Sequence, residues 1–438
     1  MAPSPIHEQP ALLLQHLIRF DTTNPPGNEA ACIGYVKGLL DEAGVPCTIF
    51  EKVPGRPNLV ARIKGRGEAP GLLLQGHVDV VATKEQSWSV DPFAAQIKDG
   101  FIWGRGTLDM KAGVAMFLAA LMRARAEGLT LPGDVVLAVL ADEEAGGDLG
   151  ARFLTEEHPH LFDGVRYSLG EFGGFTLQVG GRRYYPIQVA EKQICWLRVS
   201  LTHPGGHASM PLKGGAMAQM GALLQRLDGQ PLPLHITPTF RQMIEGLASA
   251  QPFVTATLLR QLLNPALTDR LMGMLKEKGD IFRPLVRNTA SPTIIRGGEK
   301  INVHPSRIDL DLDCRLLPGF TPEEMIAELR PLVGPDAAFE VVRYDPYPGE
   351  IDMGLFGTLA SVLKEADPTG TPIPLLLPAV TDGRFFARLG IQHYGFTPMT
   401  LPDDFSFNRV IHAADERIPV DAVAFGANAV YQVLQRVR

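Results

Sequence analysis

A chain of 438 residues is longer than one ordinary hydrophobic core organises, so two domains are expected, and 45% hydrophobic with 20% charged residues marks a folded rather than a disordered protein. A net charge of −7 argues against a nucleic-acid partner, which needs clustered Lys and Arg. Residues 1–10 lack the basic start and apolar run of a signal peptide, and no stretch of ~18 uninterrupted apolar residues offers a membrane span, so the cytoplasm is the expected compartment. Cys32, Cys47, Cys195 and Cys314 form no CxxC pair, which leaves His and carboxylates to hold any metal.

In chain order, apolar residues at Leu12, Leu13, Leu17 and Ile18 predict a helix, Asp21 to Gly27 a turn, and the residues before Gly44 a second helix. Segments 45–53, 58–64 and 71–75 are β-rich and bounded by Pro and Gly, while 96–103 with Asp99-Gly100 at its middle is a hairpin signal. Helical spacing over 111–127 stops at Gly128, and 134–140 is an apolar run of the kind buried on both faces of a sheet. Strands alternating with helices imply an α/β layer fold.

The texture changes near residue 191. A strand at 194–201, a loop His203-Pro-Gly-Gly-His207-Ala-Ser209, helical patterns at 216–227 and 240–278, strands at 293–296 and 308–316, and a helix at 321–332 read as a separate α+β module. Because α/β texture resumes afterwards, the module reads as an insertion: residues 1–190 and 340–438 form one domain and 191–339 the other. Segment 240–281, rich in Leu, Met and Phe, suits either an apolar pocket or lid or ordinary module core.

Ligands of open α/β sheets sit beyond the carboxyl ends of the strands. His77 follows 72–75, Glu143 and Glu144 follow 135–140, and Glu171 follows 165–169, so three unconnected runs deliver metal-binding side chains to one edge. In His77-Val78-Asp79 the residues two apart share a face, which lets Asp79 orient the imidazole while its other nitrogen binds a metal. The bland alternative is a core histidine paired with a carboxylate. Glu143-Glu144 offers one carboxylate to a metal and its neighbour to proton transfer, and a solvated turn otherwise. Asp109, between glycines and the start of a helix, is either a cap or a carboxylate bridging two cations. Glu171 and His412 read alone as a turn acid and a capping histidine. Their joint placement is that of a two-metal site, and imidazole with carboxylates suits zinc better than magnesium.

The succession GHVDVV, WGRGTLDMKAG, ADEEAGG, LGEFGG, HPGGHASMP, GGEKINVHP, DCRLLPG and VIHAADERI, spanning residues ~60–420, resembles metallopeptidase family 20. Within that family, the long apolar segment after Ala216 is most similar to the carboxypeptidase S branch. The resemblance implies a zinc-peptidase-like catalytic domain, with a mixed sheet flanked by helices, and an inserted ferredoxin-like dimerisation or lid domain. It implies two Zn2+, with Co2+ or Mn2+ as substitutes: one bound by His77, Glu171 and a bridging Asp109, the other by Glu144, His412 and the same Asp109. Asp79 would orient His77, and Glu143 would act as general base on a metal-bridged water. His207 would reach the active site of the partner subunit in a homodimer to stabilise the oxyanion, while Asn302 and Arg315 would bind the substrate carbonyl and carboxylate. The reaction implied is hydrolysis of a peptide or N-acyl amide bond beside a free carboxylate. A biosynthetic deacylase of the acetylornithine or succinyl-diaminopimelate type is the rival within enzymes. A ligand-binding protein without catalysis is disfavoured because Glu143 and every candidate ligand are present.

Overall fold

A computed structural model describes residues 4–275 and 282–438, and the ends of the expectations for residues 1–10 and 240–281 lie outside them. Helices α1 (Pro10–Ile18) and α2 (Ala30–Glu42) lead into strands β1 (Cys47–Glu51), β2 (Pro57–Ile63) and β3 (Gly71–His77). The hairpin forms as β4 (Gln96–Lys98) and β5 (Phe101–Trp103), followed by α3 (Lys111–Ala126), β6 (Val135–Leu140), α4 (Ala151–Glu157), β7 (Val165–Gly170), β8 (Leu177–Val179) and β9 (Arg182–Glu191). Every residue of β3 and β6 is buried, as unbroken apolar runs sandwiched between helices require.

The chain crosses at Lys192 into β10 (Gln193–Thr202), the short β11 (Gly206–His207), and helices α5 (Ala216–Gly229), α6 (Pro238–Ser249), α7 (Phe253–Gln261) and α8 (Pro265–Leu275). After these come β12 (Thr289–Gly297), β13 (Val303–His304), β14 (Arg307–Leu316), α9 (Pro322–Val333) and β15 (Ala338–Asp345). The return leg is α10 (Phe356–Ala366), β16 (Thr371–Leu377), α11 (Gly383–Ala387), β17 (Gln392–Gly395), α12 (Phe407–Val410), β18 (Arg417–Pro419) and α13 (Val420–Arg436).

Two sheets carry the fold. The larger runs β1-β2-β6-β3-β7-β17-β9-β16, with β8 on β9; β3 lies parallel to both β6 and β7, and β2 lies antiparallel to β6. One face is covered by α1, α2, α3, α10 and α13, through Leu13, Val36, Phe117, Leu359 and Val430; Phe153 of α4 and Phe385 of α11 cover part of the other. The smaller sheet is antiparallel, order β12-β14-β10-β15, with α5 and α9 on one face, the βαββαβ arrangement of ferredoxin-like units.

Three sequence expectations change here. Of segment 240–278, the described residues 240–275 are broken into helices, because Pro252 caps α7 and Pro265 opens α8, and a proline is tolerated at a helix start but not inside it. Phe240, Met243, Ile244 and Leu247 of α6 pack with Tyr184, Ala190, Ile373 and Leu376, so this segment covers strands β9 and β16 of the larger sheet. A boundary at residue 339 cuts through β15. That strand pairs with β10 from Ala338 to Asp345, and with the neighbouring Val341 and Val342 both exposed it shows no apolar alternation to announce it.

Candidate metal centre

Strand β3 ends on His77, the turn after β6 carries Glu143 and Glu144, and Glu171 follows β7 directly. Parallel pairing of β3 with β6 and β7 sets these three strand ends side by side. Asp109 precedes α3, and His412 comes from a loop more than 300 residues later that follows the short helix α12.

Asp109 lies between two imidazoles. Its Oδ1 is 3.1 Å from His77 Nε2, and its Oδ2 is 3.0 Å from His412 Nε2. His77 Nε2 also lies 3.4 Å from Glu171 Oε2, and His412 Nε2 lies 3.4 Å from Glu144 Oε1. Ligand atoms of His77, Glu143 and Glu171, and of His77, Asp109 and Glu144, fall within 4.8 Å of one another. The cap alternative for Asp109 does not hold: Met110 occupies the cap of α3 and no side chain caps that helix.

Asp79 differs from expectation in detail. His77 Nδ1 meets the Asp79 backbone carbonyl at 3.0 Å, while the carboxylate stands 3.5 Å away. That carboxylate accepts the backbone N–H groups of Glu143 and Glu144, both at 3.1 Å, and the Asn24 amide at 2.9 Å. Asp79 therefore braces the glutamate turn as well as the histidine. Glu416 performs the corresponding task for Asp109. Fully buried, it accepts the backbone N–H of Leu108 at 2.7 Å and of Asp109 at 3.3 Å, and pairs with Arg105 at 2.5 Å. A third support is Asp142, which accepts from Asn24 and Arg56 and has a left-handed φ of 73° at the start of the glutamate turn. Asn24, Arg56, Asp142, Arg105 and Glu416 were missed as site supports; Arg105, Asp142 and Glu416 lie inside the quoted motifs, their only advance signal.

The electrostatics are those of a site short of positive charge. Burial pushes the Glu171 carboxyl well above the usual range, and Asp109 and Glu143 add to the rise. Glu143 is likewise held well up by burial, with Asp382 and Glu144 adding to it against the pull of His77, and Glu144 is raised by burial against its bond to His412. Conversely, His77 is raised well above its ordinary value, because bonds to Asp109, Asp79 and Glu171 outweigh burial. Bonds to Asp109 and Glu144 carry His412 to about 10. Four carboxylates converge on two imidazoles, and His412 Nε2 approaches the buried Glu144 Oε1 no closer than 3.4 Å. Divalent cations supply the charge and the coordination this donor set lacks, so the residues fit them.

His207, Asn302 and Arg315 do not join this cluster within one chain. His207 and Asn302 are exposed neighbours on the β11–β13 ribbon, where Ala208 N–H donates to the Asn302 carbonyl at 3.0 Å and His207 Nδ1 meets Ser209 Oγ at 2.6 Å. Arg315 is half-buried on β14 and forked onto Asp313 at 2.8 and 3.0 Å.

This sheet, presenting such a donor set at its strand ends, defines the class as metal-dependent hydrolases. Residues 73–436 match the model of peptidase family M20/M25/M40, and the chain belongs to that family. It is 29% identical over 388 residues to the human N-fatty-acyl-amino acid synthase/hydrolase PM20D1, covering 84% of this chain and 75% of that protein. To aminoacylase-1 of Sus scrofa it is 24% identical over 450 residues, covering 98% and 95%. Among solved structures, the M20 family metallo-carboxypeptidase Sso-CP2 from Sulfolobus solfataricus superposes with a TM-score of 0.69 at 18% identity, covering 98% of each chain, and human carnosine dipeptidase 1 with 0.67 at 16%, covering 98% and 96%. No helix among the described residues is long and apolar enough to cross a membrane.

Proposed function

We propose that this protein is a two-metal amidohydrolase that cleaves a peptide or N-acyl amide bond beside a free carboxylate, with N-acyl amino acids as the leading substrate class. The observation that carries the reading is Asp109, each of whose oxygens faces a different imidazole at 3.0–3.1 Å. His77, Glu171 and Asp109 would hold one ion, Glu144, His412 and Asp109 the other, and zinc suits the donors. When bound, the ions supply Lewis-acid polarisation of the scissile carbonyl and acidify water towards neutrality.

The chain's own residues do the rest. Glu143 is the general base: its carboxylate takes the proton of the attacking water and delivers it to the departing amine. Asp79 fixes the backbone of Glu143 and Glu144 together, so base and ligand keep a constant separation. His207 and Asn302, exposed on their ribbon, would enter the active site of a second copy in a homodimer, His207 donating to the oxyanion and Asn302 binding the substrate carbonyl. Arg315, released from Asp313, would fork onto the substrate carboxylate. The names of PM20D1 and aminoacylase-1 support the choice of N-acyl amino acids over peptides.

The test is a panel of dipeptides and N-acyl amino acids of varied acyl length, offered to zinc-loaded wild type and to Glu143→Gln. Wild type should hydrolyse members carrying a free carboxylate and spare their amides, and Glu143→Gln should retain two ions and lose about 10²–10⁴ in rate. A variant that keeps both ions and near-wild-type rate removes Glu143 from the mechanism.

A further inference from the structure

The two crossings between the sheets converge on one side chain beside Glu143. The outgoing crossing leaves β9 at Glu191, whose Oε2 accepts the Thr381 backbone N–H at 3.1 Å and its hydroxyl at 2.7 Å. The returning crossing leaves β15 at Asp345, which is buried and accepts Arg343 Nε at 2.8 Å and Arg388 Nη2 at 2.6 Å. Between them stands Arg384. It is 2% exposed, far below what an unengaged arginine shows, and the mechanism above leaves it unused.

Its guanidinium faces three ways. Nη1 donates to the Thr381 carbonyl at 2.6 Å and lies 3.9 Å from Glu143 Oε1. Nη2 donates to the Gly146 carbonyl at 2.8 Å, the end of the turn that carries Glu143 and Glu144. Nε is buried without a hydrogen-bond partner, and Asp345 Oδ2 is 3.6 Å away. Arg343 of β15 reaches the same Gly146 carbonyl at 3.3 Å. The turn bearing the base is thus gripped by Arg384 of α11 and Arg343 of β15, and Asp345 engages both.

We infer that Arg384 is a positioning residue: held by Asp345 and the Thr381 loop at the junction of the two sheets, it fixes the glutamate turn and the Glu143 carboxylate, tying the base to the seat of the smaller sheet. A buried guanidinium restricts a carboxylate more tightly than a mobile lysine because its donors are planar and its rotamer is locked, here also by the Phe385 ring 4.3 Å from its centre. Small displacements of a base are costly, of the order of 10²-fold in rate for ~1 Å. A purely structural brace would stabilise the loop without caring whether Glu143 is present.

The inference rests on Glu143 being the base, and one set of zinc-loaded variants separates the two claims. Arg384→Gln should keep both ions, unfold at a lower denaturant midpoint because buried Asp345 and the Gly146 carbonyl lose a partner, and at temperatures where it is still folded lower kcat about 10²-fold with KM little changed; Arg384→Lys should recover part of the kcat loss, and Asp345→Asn should lower kcat in the same sense. Adding Arg384→Gln to Glu143→Gln should cost nothing more, because the residue acts through that carboxylate. Wild-type kcat in Arg384→Gln, or a further tenfold loss in the double variant, overturns the inference while leaving Glu143 as the base. Should Arg384→Gln fail to fold, Asp345→Asn decides, and an unchanged kcat there overturns it. An active Glu143→Gln overturns the underlying reading itself.

Discussion

At the scale of single residues, Asp109 is the centre of the candidate site, because its one carboxylate faces both imidazoles and its backbone is pinned by Glu416. Replacing it with Asn should release both metal ions, measured as metal-to-protein ratio after gel filtration, whereas His77→Ala or His412→Ala should reduce mainly one. The two histidines are not equivalent. The His77 side chain is 1% exposed and that of His412 is 46% exposed, so His412→Ala should fold normally while His77→Ala should also destabilise, leaving buried Glu171 and Asp109 unpaired. A buried residue outside the cluster sets a pH dependence. His393 is wholly buried, meets Ser168 Oγ at 2.9 Å, and is pushed down to about 3 by burial. With a folded pKa below the unfolded one near 6.5, the unfolded chain binds the extra proton between those values. Stability should therefore fall as pH drops from about 6.5 towards 3, by at most about 1.4 kcal/mol per pH unit from this group. His393→Gln should flatten that slope in urea titrations of the metal-free protein. Four of the candidate ligands were legible because His77, Glu144 and Glu171 follow recognisable strands and Asp109 sits in a glycine-flanked motif, whereas His412 had only the motif around it. Glu416 and Asn24 were not legible, because their partners Leu108 and Asp79 are 308 and 55 residues away and no local pattern encodes such a bond.

At the scale of elements, legibility followed periodicity. Strands β3 and β6 and helix α3 stood out because continuous apolar runs and a glycine stop admit few alternatives. Strand β15 did not, since an edge strand with Val341 and Val342 exposed carries no inside-outside contrast. Segment 240–275 was legible as apolar and helical, but where it packs depends on contacts with Tyr184 and Ile373, remote in sequence. That packing yields a prediction. Phe240 is fully buried against the larger sheet, so Phe240→Ala should cost about 3–5 kcal/mol in denaturant unfolding through lost burial and a cavity. If the segment were instead a mobile lid over the substrate, the same change would leave stability nearly intact and alter KM. Unfolding curves and KM measured on one preparation distinguish the two.

At the scale of the whole molecule, the metal site and the stability of the larger sheet are one problem. Four carboxylates meet two imidazoles at the ends of β3, β6 and β7, of which β3 and β6 are buried throughout and β7 over its last four residues. Without cations, folding must bring these acids together against the burial that raises Glu143, Glu144 and Glu171. Ions that bind only the folded chain offset this by mass action, about 4 kcal/mol for each site held at a thousandfold excess over its Kd. Chelation should therefore lower Tm at neutral pH, and readdition of zinc should restore it together with activity. Asp109→Asn should melt near the chelated wild type and ignore both chelator and zinc, since it removes the shared ligand and one negative charge together. His412→Ala should respond to zinc with a smaller shift, because the buried half of the site survives. Equal responses of wild type and Asp109→Asn to the chelator would place the stabilising ions elsewhere, and the two-metal reading of this strand edge would have to be given up.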